Sequence, residues 1–449
     1  MQQDPWKRTP VKHLSPEIRV KGFEEVAKGY TREEAVTEAK RCLNCKRAPC
    51  KSACPLGMDV PGYIKAIAEE RFNDARRVIM ETNILPSICG RICPHFCESA
   101  CVRGKKGEPL AIAHLKRFVG DHTNFEDLEI KLGEPTGRRV AVIGSGPAGL
   151  SAAYFLALKG HEVTIYEREP HPGGMLSFAI PEFRLPQDVV DRDVQILDRL
   201  GVKILLNSRI GRAEFERILK EYDAVFVGVG AWAPKWMGIP GEGLKGVYHV
   251  VPFLKAVNSG APPQIGKRVA VIGGGSSAMD AARVSKRLGS DAFIVYRRAR
   301  EQMPAEPKEI EETEEEGIEM ILLTNPVEIK GDEHGRVMGL ECIRMQLGEP
   351  DESGRARPVP VEGSNHVIAC DTVIEAISQE PELDSLHPDL ELTRWKTAAV
   401  NSEMMTSIPG VFAGGDDESG PATVCQALHA GKKAAEGIHR YLSGSGQDG

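Results

Sequence analysis

The N-terminal part of the chain places its apolar residues at helical spacing around two groups of cysteines. In TREEAVTEAKRCLNC, Thr31 and Glu34 form a possible capping box, and apolar side chains then recur at helical spacing as far as Cys42. Spaced apolar residues from 64 to 79 predict a second amphipathic helix, with no proline to interrupt it. If the segment 89–101 is helical, its cysteines, four residues apart, lie along one face. We therefore expect a helical region that ends near the Gly- and Pro-containing stretch GEPTGRR.

Two later segments each predict a β-strand, a Gly-rich turn, a helix and a second strand. The first is RRVAVIGSGPAGLSAAYFLALKGHEVTIYERE, and the second is VAVIGGGSSAMDAARVSKRLGSDAFIVYRRARE. This order of elements, with glycines in the first turn, is the fingerprint of a Rossmann-like dinucleotide-binding fold. The predicted fold class is therefore α/β, with two Rossmann-like domains preceded by an α-helical domain.

Each glycine of the first turn has a predicted task. Gly144 permits the tight turn, Gly146 lets the backbone approach a pyrophosphate, and Gly149 lets helix and strand pack closely. Glu167 ends the second strand, where an acid binds ribose hydroxyls. The cofactor contacts predicted here are Gly144, Gly146, Pro147, Ala148, Gly149 and Glu167.

The second turn differs at the end of its second strand. Arg297 and Arg298 stand where the first copy has an acid, which favours a 2′-phosphate and therefore NADPH over NADH. The alternative is that these are ordinary solvated arginines. The cofactor contacts predicted here are Gly273, Gly275, Ser276, Ala278, Arg297 and Arg298.

The cysteines form two runs, Cys42-x2-Cys45-x4-Cys50-x3-Cys54-Pro55 and Cys89-x3-Cys93-x3-Cys97-x3-Cys101. Eight thiolates at these spacings favour two four-iron, four-sulfur (4Fe–4S) clusters, because such modules draw the last cysteine of a run to the other cluster. Zinc sites and disulfides are the alternatives. Three further cysteines, Cys342, Cys370 and Cys425, are expected to be buried neutral thiols.

Composition excludes some classes of function. A net charge of −7 gives no support for a nucleic-acid partner or an acidic membrane surface. No window approaches the roughly 20 apolar residues of a membrane span, and the opening MQQDPWKRTPVKHL has no apolar core of a secretory signal. We therefore expect a cytoplasmic protein.

Motifs outside the two turns carry a family resemblance. PHPGGML and GVFAGGD resemble the two-dinucleotide flavoprotein reductases. Together with VKGFEEVAKGYTREEAVTEAKRCLNC, GGMLSFAIPEFRLP, YRRAREQMPA and GVFAGGDDESGPATV, they make the chain resemble the small (β) subunit of NADPH-dependent glutamate synthase. Similar proteins are the large subunit of NADH-dependent ferredoxin:NADP oxidoreductase, the sulfide dehydrogenase flavoprotein and the N-terminal part of dihydropyrimidine dehydrogenase.

The resemblance implies a division into domains and further cofactor contacts. It implies a helical iron–sulfur domain at 1–135, an FAD-binding domain at 136–262 and 379–449, and an NADPH-binding domain at 263–378 inserted in it. Asp416 matches an aspartate that contacts the flavin's ribityl region, and the helix after it is expected to point its N-terminus at the flavin ring. The contacts that the shared motifs add are Gly174, Met175, Leu176, Arg184, Gly415, Asp416, Ala422 and Thr423.

One departure from the family affects the cluster ligands. Where several relatives supply an acid or amide ligand from a later helix, this chain has Lys116, which is not expected to bind iron. We therefore expect Cys89 to supply the missing ligand. The resulting hypothesis assigns Cys54, Cys89, Cys93 and Cys97 to one cluster and Cys42, Cys45, Cys50 and Cys101 to the other.

The resemblance implies an electron-transfer subunit. Hydride would pass from NADPH to FAD and single electrons through the two clusters to a second redox subunit, either a glutamate synthase large subunit or a ferredoxin or flavin partner. No catalytic acid or base is assigned, because hydride transfer needs alignment more than proton transfer. The alternatives are the flavoprotein subunit of an electron-bifurcating complex, a thiol–disulfide reductase and a non-catalytic module with structural zinc.

Overall fold

The structure is a computed structural model that describes residues 4–351, 354–384 and 386–444. The first part of the described chain is helical, with a 3-10 turn at Val102–Lys105. Its helices are α1 (Pro16–Arg19), α2 (Arg32–Ala39), α3 (Pro49–Ala53), α4 (Val60–Ala68), α5 (Phe72–Met80), α6 (Pro86–Ile92), α7 (Phe96–Ser99) and α8 (Ile112–His122).

Local sequence explains where these helices begin and break. The predicted capping box is present: the Thr31 side chain accepts from the Glu34 backbone, and Glu34 accepts in return from Thr31. The single helix predicted across 64–79 is wrong, because the chain divides there into α4 and α5 around Glu70, whose φ is +59°. The segment 89–101 is not one helix either, since it turns between α6 and α7 at His95, whose φ is +54°.

The rest of the described chain alternates strands and helices, with a 3-10 turn at Arg300–Gln302. Its strands are β1 (Arg139–Ile143), β2 (Glu162–Tyr166), β3 (Lys203–Leu205), β4 (Ala224–Val227), β5 (Ala233–Pro234), β6 (Val247–His249), β7 (Arg268–Ile272), β8 (Asp291–Val295), β9 (Glu319–Ile321), β10 (Thr324–Gly331), β11 (Val337–Pro350), β12 (Ala356–Pro360), β13 (His366–Ala369), β14 (Thr372–Glu375), β15 (Gln379–Glu380) and β16 (Val411–Ala413). Its helices are α9 (Pro147–Leu158), α10 (Met175–Phe178), α11 (Gln187–Val194), α12 (Ile196–Arg199), α13 (Arg212–Glu221), α14 (Val250–Asn258), α15 (Ser276–Arg287), α16 (Pro307–Glu315), α17 (Asp416–Ser419) and α18 (Val424–Leu442).

Two parallel sheets form the framework. The first has the order β16-β4-β1-β2-β3, so the chain returns after the second sheet to add β16 beside β4. The second has the order β6-β14-β7-β8-β9. Because β6 and α14 precede residue 263, the second sheet begins upstream of the predicted division at 262/263; the division into domains stays a prediction.

Smaller sheets and one long helix complete the molecule. An antiparallel sheet of β10, β11, β12 and β13 extends from the second framework sheet, and β5 pairs with β15. Helix α18 covers α9, and the two helices approach so closely that a Cβ on Gly431 would lie 2.1 Å from the Ala148 carbonyl oxygen. In the described part of the chain, no helix combines the length and the apolar character that crossing a bilayer requires.

Candidate cofactor and cysteine sites

One cavity of about 730 Å³ opens where the two framework sheets and the helical region meet. Residues of all three parts line it, including Ile92, Pro94 and Phe96 beside the second cysteine run. The predicted contacts that line it are Gly144, Gly146, Pro147, Ala148, Glu167, Gly174, Met175, Leu176, Arg184, Ser276, Gly415, Asp416, Ala422 and Thr423. The predicted contacts outside its lining are Gly149, Gly273, Gly275, Ala278, Arg297 and Arg298.

The first Gly-rich turn has room on one side only. A Cβ on Gly144, at φ +96°, would lie 2.4 Å from the Gly228 carbonyl oxygen, and a Cβ on Gly149 would lie 2.0 Å from the Gly144 oxygen. A Cβ on Gly146 would meet nothing within 4 Å. The turn is therefore packed against its own fold but open to the cavity at the N-terminus of α9, which fits a pyrophosphate.

Glu167 is tied to that turn. Its Oε2 accepts hydrogen bonds from the backbone N–H (2.8 Å) and the hydroxyl (2.5 Å) of Ser145, and its Oε1 accepts from the Glu169 N–H at 2.8 Å. A carboxylate offers about four acceptor positions, so it can still accept from a ribose hydroxyl. Glu167 therefore fixes the turn as well as facing the cavity.

The GGM loop lies directly against the turn. Gly174 has φ +59°, and a Cβ there would lie 3.0 Å from the Gly146 Cα. Met175 and Leu176 follow as the start of α10 and give the cavity an apolar wall. This close approach, together with the positive φ, explains why glycine is needed at position 174.

Two neighbouring aspartates lie where β16 ends. The Asp416 side chain accepts from the Ala422 N–H at 3.1 Å, and burial raises the pKa of Asp416 to about 6. Asp417 is fully buried; its Oδ2 accepts from the Val229 N–H at 3.0 Å, while its Oδ1 has no hydrogen-bond partner among the described residues. Burial raises the pKa of Asp417 well above its ordinary value. Asp416, which lines the cavity, is thus a protonatable group beside the flavin-sized space.

Helix α18 begins at the cavity. The Thr423 hydroxyl accepts from the Gln426 N–H at 3.4 Å, and Gln426 accepts in return from the Thr423 N–H at 3.2 Å, which completes a capping box. Val424, the first helical residue, also lines the cavity. The positive end of this helix therefore faces the space where the resemblance places the flavin ring.

Arg184 joins the two halves of the cavity. Its Nη1 lies 2.6 Å from Asp280 Oδ2 on α15, and its Nη2 pairs with Glu309 on α16. Burial lowers the pKa of Arg184, but the two carboxylates raise it overall. Arg184 is therefore engaged in an ion-pair network that fixes the second sheet's helices against the first.

The second Gly-rich turn has the same local form. Gly273 has φ +146°, and a Cβ there would lie 2.3 Å from the Ala376 carbonyl oxygen. A Cβ on Gly275 would meet only Pro304, at 3.8 Å. Ser276 begins α15, and Ala278 is fully buried against the sheet. This turn therefore also presents an open helix N-terminus.

The structure separates the two predicted phosphate-binding arginines. Arg298 is buried; its Nη2 lies 2.6 Å from Asp351 Oδ2, and its Nε donates to the Ala356 carbonyl oxygen at 2.9 Å. Arg297 is exposed, and no ion pair or side-chain hydrogen bond with another described residue engages it. Arg298 therefore stabilises the β11–β12 hairpin, whereas Arg297 is free to bind a phosphate.

Cys42, Cys45, Cys50 and Cys101 converge on a small cavity of about 30 Å³, which we call the outer cysteine site. Burial, and then the thiols of Cys101 and Cys42, raise the pKa of Cys50 to about 11. A bound cation would be needed to hold such thiols as thiolates. These four cysteines are the same four that the sequence hypothesis assigns to one cluster.

Cys54, Cys89, Cys93 and Cys97 form what we call the inner cysteine site, and Cys93 and Cys97 adjoin in sequence residues that line the large cavity. Burial raises the pKa of Cys97, which also faces Cys93 and Cys54. Lys116 is buried here: burial lowers its pKa, but Cys93, Cys89, Cys425 and Cys97 raise it overall. The Sγ atoms of Cys93 and Cys425 are 3.2 Å apart.

Both sites offer thiol sulfur, the donor that iron–sulfur clusters take, and the arrangement of the outer thiols around a cavity favours a cluster there over a single zinc ion. All eleven cysteines are free thiols, which removes the support for disulfides. Within the described ranges, no three His, Cys, Asp or Glu side chains are placed to hold a single metal ion. A zinc ion draws its sulfurs to about 2.3 Å from one point, whereas the outer thiols surround a cavity.

The sequence prediction missed several residues at these sites. Asp417, Pro94, Phe96 and Cys425 are brought there by the fold. Cys425, expected to be an isolated buried thiol, is buried but touches Cys93. Its place in the first turn of the helix expected to face the flavin was the one available signal.

Two protein families match the chain. Residues 19–128 match the family described as dihydropyrimidine dehydrogenase domain II, 4Fe-4S cluster. Residues 138–431, more than half of the chain, match the family described as pyridine nucleotide-disulphide oxidoreductase. The predicted α/β class with an iron–sulfur domain in front of dinucleotide-binding folds is confirmed.

Individual proteins are similar over most of the chain. The NADP(+)-dependent formate dehydrogenase subunit beta of Moorella thermoacetica is 41% identical over 430 residues, which cover 88% of this chain but 60% of that subunit. The NADPH glutamate synthase small chain of Escherichia coli (strain K12) is 34% identical over 449 residues, covering 95% of each. Among solved structures, Mycobacterium tuberculosis FprA in complex with NADPH has a TM-score of 0.59 at 20% identity, over 70% of this chain and 85% of FprA, a likeness of fold.

These findings confirm the resemblance predicted from the motifs. The similarity to the glutamate synthase small chain runs along both proteins almost from end to end, and the family match spans both Gly-rich turns. The chain therefore belongs to the pyridine nucleotide-disulphide oxidoreductases, in the group that includes the glutamate synthase small chain.

Proposed function

We propose that this protein takes hydride from NADPH onto FAD and passes single electrons through two 4Fe–4S clusters to a partner subunit. One observation carries the proposal: the first turn, the start of α15 and the segment around Cys93 all border the same cavity. A nucleotide entering beside Ser276, a flavin on the first turn and a cluster beside Pro94 would then be neighbours.

The NADPH end is built from α15 and the exposed arginine. The open N-terminus of α15 at Ser276 offers backbone N–H groups and a positive dipole end to a pyrophosphate. Arg297 follows β8 by two residues and is exposed, so its guanidinium can pair with the 2′-phosphate. The neighbouring Arg298 stabilises the β11–β12 hairpin through Asp351 and Ala356.

The FAD end is built from the first turn and α18. The turn at Gly146 and the start of α9 would hold the pyrophosphate, and Glu167 would accept from the adenosine ribose. Met175 and Leu176 keep one wall apolar and exclude water from the reacting atoms. The positive end of α18 stabilises negative charge developing on the flavin side. When bound, FAD exchanges a hydride for single electrons and the clusters carry those electrons onward.

The cysteine sites continue from the cavity toward the surface. Pro94 and Phe96, on either side of His95, line the cavity, and Cys93 of the inner site precedes them. Cys50 and Cys54 lie four residues apart on and just after α3, so about 6 Å of helix rise separates an outer ligand from an inner one. Cys97 and Cys101 provide a second link of the same length. The two sites are therefore close enough to act in series.

The outer site opens on a positively charged surface, which we call the basic face: Lys40, Lys46, Arg47, Lys51, Lys105 and Lys106. Each of these residues lies within five positions of an outer-site cysteine and is exposed. In the described part of the chain, none of the six forms an ion pair with a carboxylate. On a chain of net charge −7, such a concentration of positive charge supports docking of an acidic partner surface here.

The partner belongs to the proposal. The relatives named above are called subunit beta and small chain, which supports a complex with another subunit. The candidates are a glutamate synthase large subunit and a ferredoxin or flavin partner of a bifurcating complex. A reducing cytoplasm, where free thiols persist to receive iron, also belongs to the proposal.

The first test is the cofactor content of anaerobically purified protein. We expect one FAD, about eight irons in two four-iron clusters, and reduction of an artificial dye by NADPH without any partner. Zinc in place of iron, or FMN as the released flavin, would contradict the proposal. Native co-purification with mass spectrometry then identifies the partner, and full physiological activity of the single chain would contradict a partner.

The second test distinguishes a specific role of the basic face in partner binding from a general effect of the protein's net charge. The variant Lys46→Glu, Arg47→Glu and Lys51→Glu should lose partner binding while keeping its iron and its NADPH–dye activity. The matched control replaces with glutamate three exposed lysines that lie outside the N-terminal helical region: Lys203, Lys220 and Lys267. Equal loss of partner binding in both triple variants would place docking elsewhere.

A further inference from the structure

Cys425 lies at the inner cysteine site although it is 332 positions from Cys93 in the sequence. Its Sγ is 3.2 Å from the Cys93 Sγ, and its thiol also faces that of Cys89. Cys425 is buried, with 1% of its surface exposed. The site therefore contains five thiols, Cys54, Cys89, Cys93, Cys97 and Cys425, where a four-iron cluster takes four ligands.

We infer that Cys425, rather than Cys89, is the fourth thiolate ligand of the inner cluster. The inference rests on the proposed function, because it needs a cluster at the inner site. Cys425 contacts Cys93 directly, from a helix that is distant in sequence from both cysteine runs.

Helix position separates the two candidate thiols. Cys425 is the second residue of the 19-residue helix α18, where the positive end of the helix dipole favours a negative sulfur. Cys89 is the fourth residue of the seven-residue helix α6, in the middle of that helix, and both thiols belong to the same buried cluster. Cys89 therefore lacks the helix end at which the Cys425 sulfur lies.

The surroundings of the site also call for negative charge. Lys116 is buried with Cys93, Cys89, Cys425 and Cys97 around it, and among the described residues no carboxylate forms an ion pair with it. A buried ammonium without an anionic partner is costly. Ligation by Cys425 would displace its thiol proton and form one Fe–S bond from a sulfur electron pair, with no change of oxidation state.

This ligand would shorten the route from flavin to cluster. Ala422, Thr423 and Val424 line the cavity, and Cys425 is the next residue. The inner cluster would thereby bond the helical region to the helix that faces the flavin. A ligand in α18 would also make the cluster a brace between two parts of the chain that are distant in sequence.

The test compares Cys425→Ala and Cys425→Ser with Cys89→Ser. Anaerobic protein is analysed for iron and sulfide and by EPR, as isolated and after reduction. We expect Cys425→Ala to lose the inner cluster or convert it to a three-iron form, while the outer cluster's signal persists. Cys425→Ser should keep four irons there with an altered spectrum, because a serine oxygen can replace the sulfur. Cys89→Ser should keep wild-type iron content and spectra.

Two controls keep the test decisive. Cys342→Ser removes a buried thiol far from both sites and should change neither iron nor spectra. Should Cys425→Ala fail to fold, alkylation of wild-type protein decides: Cys425 should be protected in the iron-loaded form and labelled after chelation and unfolding.

Three results would overturn the inference. The first is wild-type iron content and spectra in both Cys425 variants. The second is a Cys93–Cys425 disulfide in iron-loaded protein. The third is alkylation of Cys425 with the iron in place. Wild-type protein without iron would instead overturn the proposed function itself.

Discussion

The two Gly-rich turns are built alike but surrounded differently. Each follows a strand of sequence RVAVI, β1 or β7, and each is capped by a glycine with extended backbone before a 12-residue helix. Each strand's first N–H donates to an aspartate, Asp223 or Asp371. Equal local sequence thus produces equal local structure.

The difference begins at the end of the second strand. In the first copy, Glu167 is buried and bonded to the turn, and α18 returns from the end of the chain to cover α9. In the second copy, Arg297 is exposed and Arg298 supports a hairpin. On the proposed function, the turn would provide a pyrophosphate site in both copies, and its different surroundings would select which dinucleotide occupies it.

The largest effect is expected from Gly146→Val. The position has negative φ and open space around its Cβ, so the fold accepts the side chain, but the branched methyls enter the space proposed for the FAD pyrophosphate. Purified variant should lack flavin absorbance and NADPH–dye activity while keeping its iron. Retention of stoichiometric FAD would show that the first turn does not bind it.

The matched change in the second turn is Gly275→Val. A Cβ on this glycine makes only an ordinary contact with Pro304, so the same substitution should spare FAD and weaken NADPH binding on the order of 100-fold, about 2.7 kcal/mol. The measurement is the KM for NADPH with a dye as acceptor. Loss of flavin instead would mean that the two turns do not divide the cofactors as proposed.

A smaller and more selective effect is expected from Arg297→Ala. Losing one charge-assisted bond to the 2′-phosphate costs about 1.5–3 kcal/mol, roughly 10- to 150-fold in kcat/KM for NADPH, with little change for NADH. The comparison variant Arg298→Ala should lower stability by about 1–3 kcal/mol and affect both nucleotides equally, because it breaks the Asp351 pair. The reverse pattern would assign phosphate recognition to Arg298.

The smallest effect concerns Asp416 in the first copy. Its pKa is raised by burial from 3.8 to about 6, so the folded state binds this proton more tightly than the unfolded state. As the pH rises from about 4 to about 6, protonation of Asp416 is lost, and the free energy of unfolding should fall by less than about 3 kcal/mol because of this group. Asp416→Asn should lack that loss, so its Tm should rise relative to wild type as the pH rises. A pH-independent Tm difference would contradict the prediction.

Local patterns predicted part of the molecule well. The capping box at Thr31, the two strand–turn–helix units and the helix after Thr423 depend on residues within a few positions of each other. Where a prediction failed, an unmarked local conformation was responsible: Glu70 and His95 adopt positive φ and break expected helices, although neither is a glycine. The cofactor roles of the residues that line the cavity stay predictions.

By itself the sequence determined the family, the two Gly-rich turns and the grouping of cysteines in two runs, because spacing along the chain carries all three. Only the tertiary structure decided which arginine is free, since Asp351 reaches Arg298 across a hairpin and leaves Arg297 exposed. Only the tertiary structure likewise brought Cys425 to Cys93. Contacts between residues hundreds of positions apart arise from how helices and sheets pack, and no local spacing records them.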